Sequence, residues 1–208
     1  MILKTTAHQL AELSSLDETL VEYTRLGSEA ALGILVGRHG DAVYTIVRNM
    51  CDASSEADEL TLETFIAVCR EIRSVGRLTG SFRAQLCGIA IKTALARRRL
   101  RSFATSSTEL APTPGDEGPR RMPIAGDWRD LADPALEDGS LAALLHEALE
   151  RMDDDVRAAF VLCDLVELPA EETACILETS AGKIRHRVHR ARLMLISLLD
   201  GFFGVSQA

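Results

Sequence analysis

Apolar positions along this chain recur every three or four residues and almost never alternate, which is the pattern of amphipathic helices and not of strands. Leu62, Phe65, Ile66, Cys69 and Ile72 carry that spacing from Glu56 to Ser74. The stretch SEAD, Ser55 to Asp58, precedes them and resembles a capping box with Asp in the last place. SLDE, Ser15 to Glu18, opens an earlier helix that Gly27 ends. Ser28 caps a second helix, and a third runs from about Asp41 to Met50. After a Gly- and Ser-containing loop, Ser74 to Ser81, a further helix starts at Phe82 and ends among Lys92, Arg97, Arg98, Arg99 and Arg101. Phe65, Phe82 and Ile89 are expected in the core. From about Ser102 to Asp138 the period stops, and every proline except Pro169 falls there. That composition predicts a flexible acidic linker. Periodicity resumes in LAALLHEALERM, VRAAFVLCDLV and AEETACILE, and in the last helix, where Ile184, Val188, Ala191 and Leu195 form one stripe. The predicted fold is all-α. Two small helical domains, residues 1–102 and 138–200, are joined by a linker at 103–137 and followed by a tail at 201–208.

Charge changes this picture more than composition does. Aromatics are only 4% of the 208 residues, so the cores rest on Leu, Ile, Val and Ala. No apolar run reaches the roughly 18 residues of a membrane span, so no membrane insertion is expected. The start MILKTTAHQLAEL lacks the pattern of a secretory signal. The cysteines Cys51, Cys69, Cys87, Cys163 and Cys175 are odd in number and never in CxxC spacing, which predicts free thiols in a reducing cytoplasm. The formal net charge is -8, yet KIRHRVHRAR, Lys183 to Arg192, holds five Lys and Arg, two His and no acid. At about 100° per residue, Lys183, His186, His189 and Arg190 project away from the apolar stripe. PAEETACILE, the turn TSAGK and this helix compose a helix-turn-helix with Ser180 as N-cap. Surface helices usually mix signs. One with no acid from Ser180 to Ile196 points to DNA in the major groove and not to a merely solvated face. No Gly-rich phosphate loop and no paired nucleophile and base are present, so no catalytic residue, enzyme activity or cofactor is expected. Cys163, Cys175, His186 and His189 share one domain, but in no zinc spacing, so no metal is expected either.

LPAEETACILETSAGKIRHRVHRARLMLISLL resembles region 4 of the extracytoplasmic-function (ECF) sigma factors of bacterial RNA polymerase. The matching residues are Glu171, Glu172, Ala174, Ile176, Leu177, Ser180, Gly182 and RVHRAR, Arg187 to Arg192. GRHGDAVYTIVRNM, ADELTLETFIAVCREI and GSFRAQLCGIAIKTALARRRLR resemble region 2 in the same order. The chain departs from the family pattern at Leu62 (commonly Gln), Gln85 (Trp), Lys92 (Asn), Pro169 (Ser) and Glu178 (Gly). The resemblance implies an alternative sigma factor that directs RNA polymerase to promoters by recognising −35 and −10 elements and melting the duplex. It places core-polymerase binding at Glu59, Leu62 and Glu63, against the β′ clamp helices, with the β flap as a second contact. It places the −10 element on the loop Ser74–Ser81, where a flipped base is captured, and on Arg77, Arg83, Lys92, Arg97 and Arg99. The −35 element falls to Ser180, Gly182, Lys183, Arg185, His186, His189 and Arg190. Promoter DNA, core RNA polymerase and an anti-sigma factor are the implied partners. The acidic MDDD, Met152 to Asp155, is expected to compete for the basic helices and keep the free protein off DNA. A dimeric helix-turn-helix repressor is the competing reading, and the chain shows no dimer stripe to support it.

Overall fold

The computed structural model describes residues 16–51, 54–74, 81–105 and 138–205. The expectations for Ser15, Gly76, Arg77, Gly80 and the linker at 106–137 lie outside them. Among the described residues there are eight α-helices and no strand.

Helix α1, Asp17–Arg25, begins with Asp17 and Glu18 at its positively polarised end. Its N-cap is Leu16, which offers no side-chain acceptor. It stops where Gly27 adopts φ 92°, a left-handed turn that costs glycine nothing. Ser28 then caps α2, Glu29–Met50, its Oγ accepting the Ala31 N–H at 3.3 Å. This is one helix of 22 residues where the sequence suggests two. Gly33, Gly37 and Gly40 lie inside it, each costing about 1 kcal/mol relative to Ala. They do not break it, because Ala31, Leu35, His39, Val43, Ile46, Val47 and Met50 form an unbroken buried stripe. Helix α3, Ser54–Ser74, begins one residue before the expected cap, so Ser55 is inside its first turn. Helix α4 runs Phe82–Thr105, past the expected end at Ser102, and Ser81 Oγ accepts the Ala84 N–H at its start. These four helices make the first unit. Phe65 and Phe82 are buried and Ile89 packs partly buried against the core. His39, also buried, joins three helices, since its Nε2 lies 2.8 Å from Asp17 and its ring stands edge-on to Phe82.

The second unit contains α5, Asp138–Glu150, and α6, Asp154–Phe160, which passes into one π-helical turn at Val161–Leu165. Helix α7, Ala170–Ile176, and α8, Ala181–Val205, complete it. Pro169 is the N-cap of α7 and not its first helical residue. Helix α8 continues beyond residue 200 into the expected tail. A small cluster of Ala159, Ala174, Ile184 and Val188 knits the helix-turn-helix. The larger core is shared by both units, running from Leu20 through Ile91 to Leu149, Phe160 and Leu195.

The seam between the units is also polar. Arg157 of α6 is 0% exposed. Its Nε donates to the Asn49 carbonyl and its Nη2 to the Cys51 carbonyl at 3.4 Å. Arg98 of α4 donates to the Met50 carbonyl between them. Three carbonyls at the end of α2 thus receive guanidinium groups, at the helix terminus where carbonyls lack internal partners and the dipole favours cations.

Candidate nucleic-acid interface

Helix α8 presents its face as its spacing dictates. Ile184, Val188, Ala191 and Leu195 are buried against the rest of the unit. Ser180 Oγ accepts the Lys183 N–H at 3.3 Å, fixing the start of the helix. The turn before it closes with the Thr179 N–H donating to the Ala174 carbonyl at 2.9 Å, and Glu178 there adopts φ 52°. A residue with a Cβ is strained in that conformation by about 1–2 kcal/mol.

The helix carries no acid in this stretch, but its neighbours supply them. Arg185 pairs with Glu171 of α7 at 2.9 Å, and Arg190 with Asp153 at 3.1 Å. Arg187 pairs with Asp155, and Arg192 is bidentate on Asp164 at 2.8 and 2.7 Å. The pairs divide by burial. Asp164 is 3% exposed on the π-helical turn, so Arg192 serves the fold, and the Arg187 side chain is largely covered. Ser180, Gly182, Lys183, Arg185 and Arg190 are exposed, and His186 is half-buried. His189 differs from its expected outward placement, because its Nε2 is buried, with no hydrogen-bond partner among the described residues. The Glu171 carboxyl is held below its usual range by a hydrogen bond from the Glu171 backbone N–H and by Arg185.

On α3, Glu59, Leu62 and Glu63 share an outward face, with Leu62 63% exposed. Ile66, one turn on, is also exposed and extends the apolar strip. Sequence reading placed Ile66 in the core period. Its i+4 relation to Leu62 was the signal that it belongs with the docking face. Arg97 of α4 donates to Glu59 at 3.4 Å and to Glu63 at 3.1 Å. A residue assigned to the −10 set therefore sits on the acids of the docking set.

The remaining −10 candidates do not gather on one open surface. The Arg83 guanidinium donates to the Val166 carbonyl of the second unit. Lys92 lies 3.5 Å from Glu178, also in the second unit. Arg99 is exposed at the far end of α4. Beside them Arg98 pairs with Asp154 at 2.9 Å and Arg101 with Glu56. All three acids of MDDD therefore hold arginines of the two basic helices. Of the thiols, Cys51 and Cys87 are buried, Cys69 and Cys163 partly so, and Cys175 is exposed. Burial pushes Cys87 up to about 11 and also raises Cys69 and Cys163. Cys163 lies 3.4 Å from the Thr173 hydroxyl. Among the described residues no His, Cys, Asp or Glu cluster converges as a metal site, and no helix is long and apolar enough to cross a membrane.

Residues 35–103 match the family Sigma-70 region 2, and residues 142–195 match Sigma-70, region 4. The chain is 32% identical over 161 residues to the ECF RNA polymerase sigma factor SigE of Mycolicibacterium smegmatis, covering 77% of this chain and 58% of that one. It is 30% identical to the RNA polymerase sigma factor NccH of Alcaligenes xylosoxydans xylosoxydans, covering 89% of this chain and 96% of the relative. In fold it is similar to CnrH, solved with the cytosolic domain of CnrY, at TM-score 0.63 and 24% identity over 89% of this chain and 97% of that one. It is also similar to RpoE of Bartonella quintana, solved with the anti-sigma factor NepR, at TM-score 0.59 and 19% identity over 81% and 96%. With both regions present in order and nearly the whole of NccH spanned, the chain belongs to the ECF sigma factors of RNA polymerase.

Proposed function

We propose that this sigma factor selects promoters with two cationic helices and docks on core polymerase with a third. The exposed face of α8 carries the proposal. There Lys183, Arg185 and Arg190 are exposed along a capped helix, and the carboxylates that Arg185 and Arg190 meet, Glu171 and Asp153, are themselves solvent-exposed. Such surface pairs are worth about 0–1 kcal/mol. Phosphates displace them readily, because DNA binding also releases condensed counterions. Helix α8 reads the −35 element in the major groove, with Ser180, Gly182 and His186 at its entering end. Helix α4 holds the melted −10 strand through Arg83, Lys92, Arg97 and Arg99. The strip of Leu62 and Ile66 between Glu59 and Glu63 docks on the β′ clamp helices, and the second unit meets the β flap. The factor works in the cytoplasm and contributes no catalytic step, since bond formation belongs to the polymerase. An anti-sigma factor restrains it, a reading supported by RpoE, which was solved with the anti-sigma factor NepR.

The test is Arg190→Ala in the holoenzyme, titrated with salt on promoter and scrambled duplexes. Base reading predicts a loss of about 1–3 kcal/mol on the promoter alone. Phosphate holding predicts an equal loss on both duplexes and a shallower salt slope. If neither affinity nor slope changes, the basic face of α8 is only solvated.

A further inference from the structure

His39 sits in the middle of α2, 6% exposed, and belongs neither to the docking face nor to the two cationic helices. A polar ring at such a site costs stability unless it is hydrogen-bonded, and an apolar side chain would fill the space without that cost. Its bond is made to Asp17, whose Oδ2 lies 2.8 Å from Nε2. Asp17 is the first residue of α1, and its other oxygen accepts from Arg38. Both carboxylate oxygens are thus engaged by adjacent residues of α2, which restrains the imidazole as a hydrogen-bonded ring nitrogen does.

The far face of this contact is the start of α4. The His39 ring stands edge-on to Phe82, with centroids 5.4 Å apart and planes at 67°. Phe82 is 3% exposed and is the first residue of α4. Arg83, the next residue, belongs to the −10 set, and Ser81, the residue before, caps the helix through the Ala84 N–H. So α1, α2 and the first turn of the −10 helix meet at one imidazole. Phe82 also borders a cleft of about 10 Å³ between the end of α3 and the start of α4, lined by Val68, Ile72 and Gln85 among others. Gln85 stands one turn along α4 from Phe82, where the family pattern has Trp. A ring that borders a gap loses dispersion contacts on that flank. The imidazole of His39 is then the group that locates it.

We infer that the Asp17–His39 pair positions the first turn of α4 for promoter opening, with His39 acting through Phe82. The inference rests on the reading of α4 as the −10 helix. His39 touches no DNA in this account and is a positioning residue. Phe82 and Arg83 are neighbours in one helical turn, so a Phe82 ring that settles into the cleft carries Arg83 out of register with the opened strand. Binding of the closed duplex through α8 does not depend on that turn. The effect of losing His39 therefore falls on opening and not on duplex binding.

The experiment uses holoenzyme assembled with the full chain, on a promoter fragment recovered by mapping transcript 5′ ends. Gel retention of the duplex reads binding, and permanganate reactivity of unpaired thymines reads opening. His39→Ala removes both the ring and its bond to Asp17, whereas His39→Phe keeps a ring against Phe82 and loses only the bond. The bound promoter should open about three- to tenfold less in His39→Ala, the range spanned by one edge-on aromatic contact, with retention unchanged within about twofold. His39→Phe should lie between that variant and the wild type. Gln85→Trp in the His39→Ala chain should restore opening, because it fills the cleft beside Phe82. Circular dichroism at the assay temperature checks that each variant is folded, and if His39→Ala is not, His39→Phe against the wild type carries the same comparison. Opening that falls only in step with retention, or that does not fall at all, overturns the inference, because the pair then serves the fold alone. If Arg83→Ala with Lys92→Ala opens the promoter as fully as the wild type, the −10 reading of α4 fails instead.

Discussion

Helices α4 and α8 are the two concentrations of positive charge in an acidic chain, and they handle it in opposite ways. Helix α8 pairs within its own unit, through Arg185–Glu171, Arg187–Asp155, Arg190–Asp153 and Arg192–Asp164. Helix α4 pairs outward, to α3 through Arg97 and across the seam through Arg83, Lys92 and Arg98. The difference is one of access. Of the α8 cations, Arg185 and Arg190 meet exposed carboxylates and Arg192 a nearly buried one, whereas Arg83, Lys92 and Arg98 of α4 meet groups of the second unit and Arg97 stays on α3.

The largest effect expected within this comparison is structural. Asp164→Ala removes a nearly buried carboxylate and both of its hydrogen bonds to Arg192, whose side chain is 36% exposed, and should cost about 3 kcal/mol in urea unfolding, at roughly 1.5 kcal/mol per charge-assisted bond. Asp153→Ala, which removes the exposed partner of Arg190, should cost less than about 1 kcal/mol. Equal costs would erase the division between the fold-serving and the exposed arginines of α8. Next in size is Glu63→Arg. Reversing a charge beside Leu62 should weaken core-polymerase binding by about 2–5 kcal/mol if the pair is desolvated there. Unchanged affinity in a pull-down titration would remove α3 as the dock and leave Arg97 with a purely structural role.

A smaller effect sharpens the account of the seam. Burial raises the Cys87 thiol from its ordinary 9.0 to about 11, against Arg83, which lowers it, while Glu172 of α7 adds to the rise. Between those values the unfolded chain releases the proton and the folded chain keeps it. Stability should fall as pH rises above 9 and level off beyond 11, by at most roughly 1.4 kcal/mol per pH unit. Urea midpoints of the wild type and Cys87→Ala across that window measure it. Parallel curves would mean that the thiol does not sense the seam.

What the sequence disclosed was what local spacing encodes. The stripe of Ile184, Val188, Ala191 and Leu195, the Ser180 and Ser28 caps and the start of α4 at Phe82 were all legible, because each depends on neighbours within one or two turns. The continuity of α2 through Gly33, Gly37 and Gly40 was not. Tertiary burial outweighs propensity there, and burial has no local sign. The acid partners of α8 were half legible. MDDD was marked as a competitor, but Asp164 and Glu171 come from elements whose approach depends on packing. The seam was not legible, because Arg157 and the carbonyls it meets lie 108 and 106 positions apart along the chain.

The most direct test of the central claim is to map the 5′ ends of transcripts made by core polymerase with and without this protein on fragmented genomic DNA. The account predicts new, discrete start sites that share an upstream pair of elements at fixed spacing. It also predicts that Arg190→Ala disturbs the distal element and Glu63→Arg abolishes the set. Start sites indistinguishable from those of core polymerase alone would contradict it.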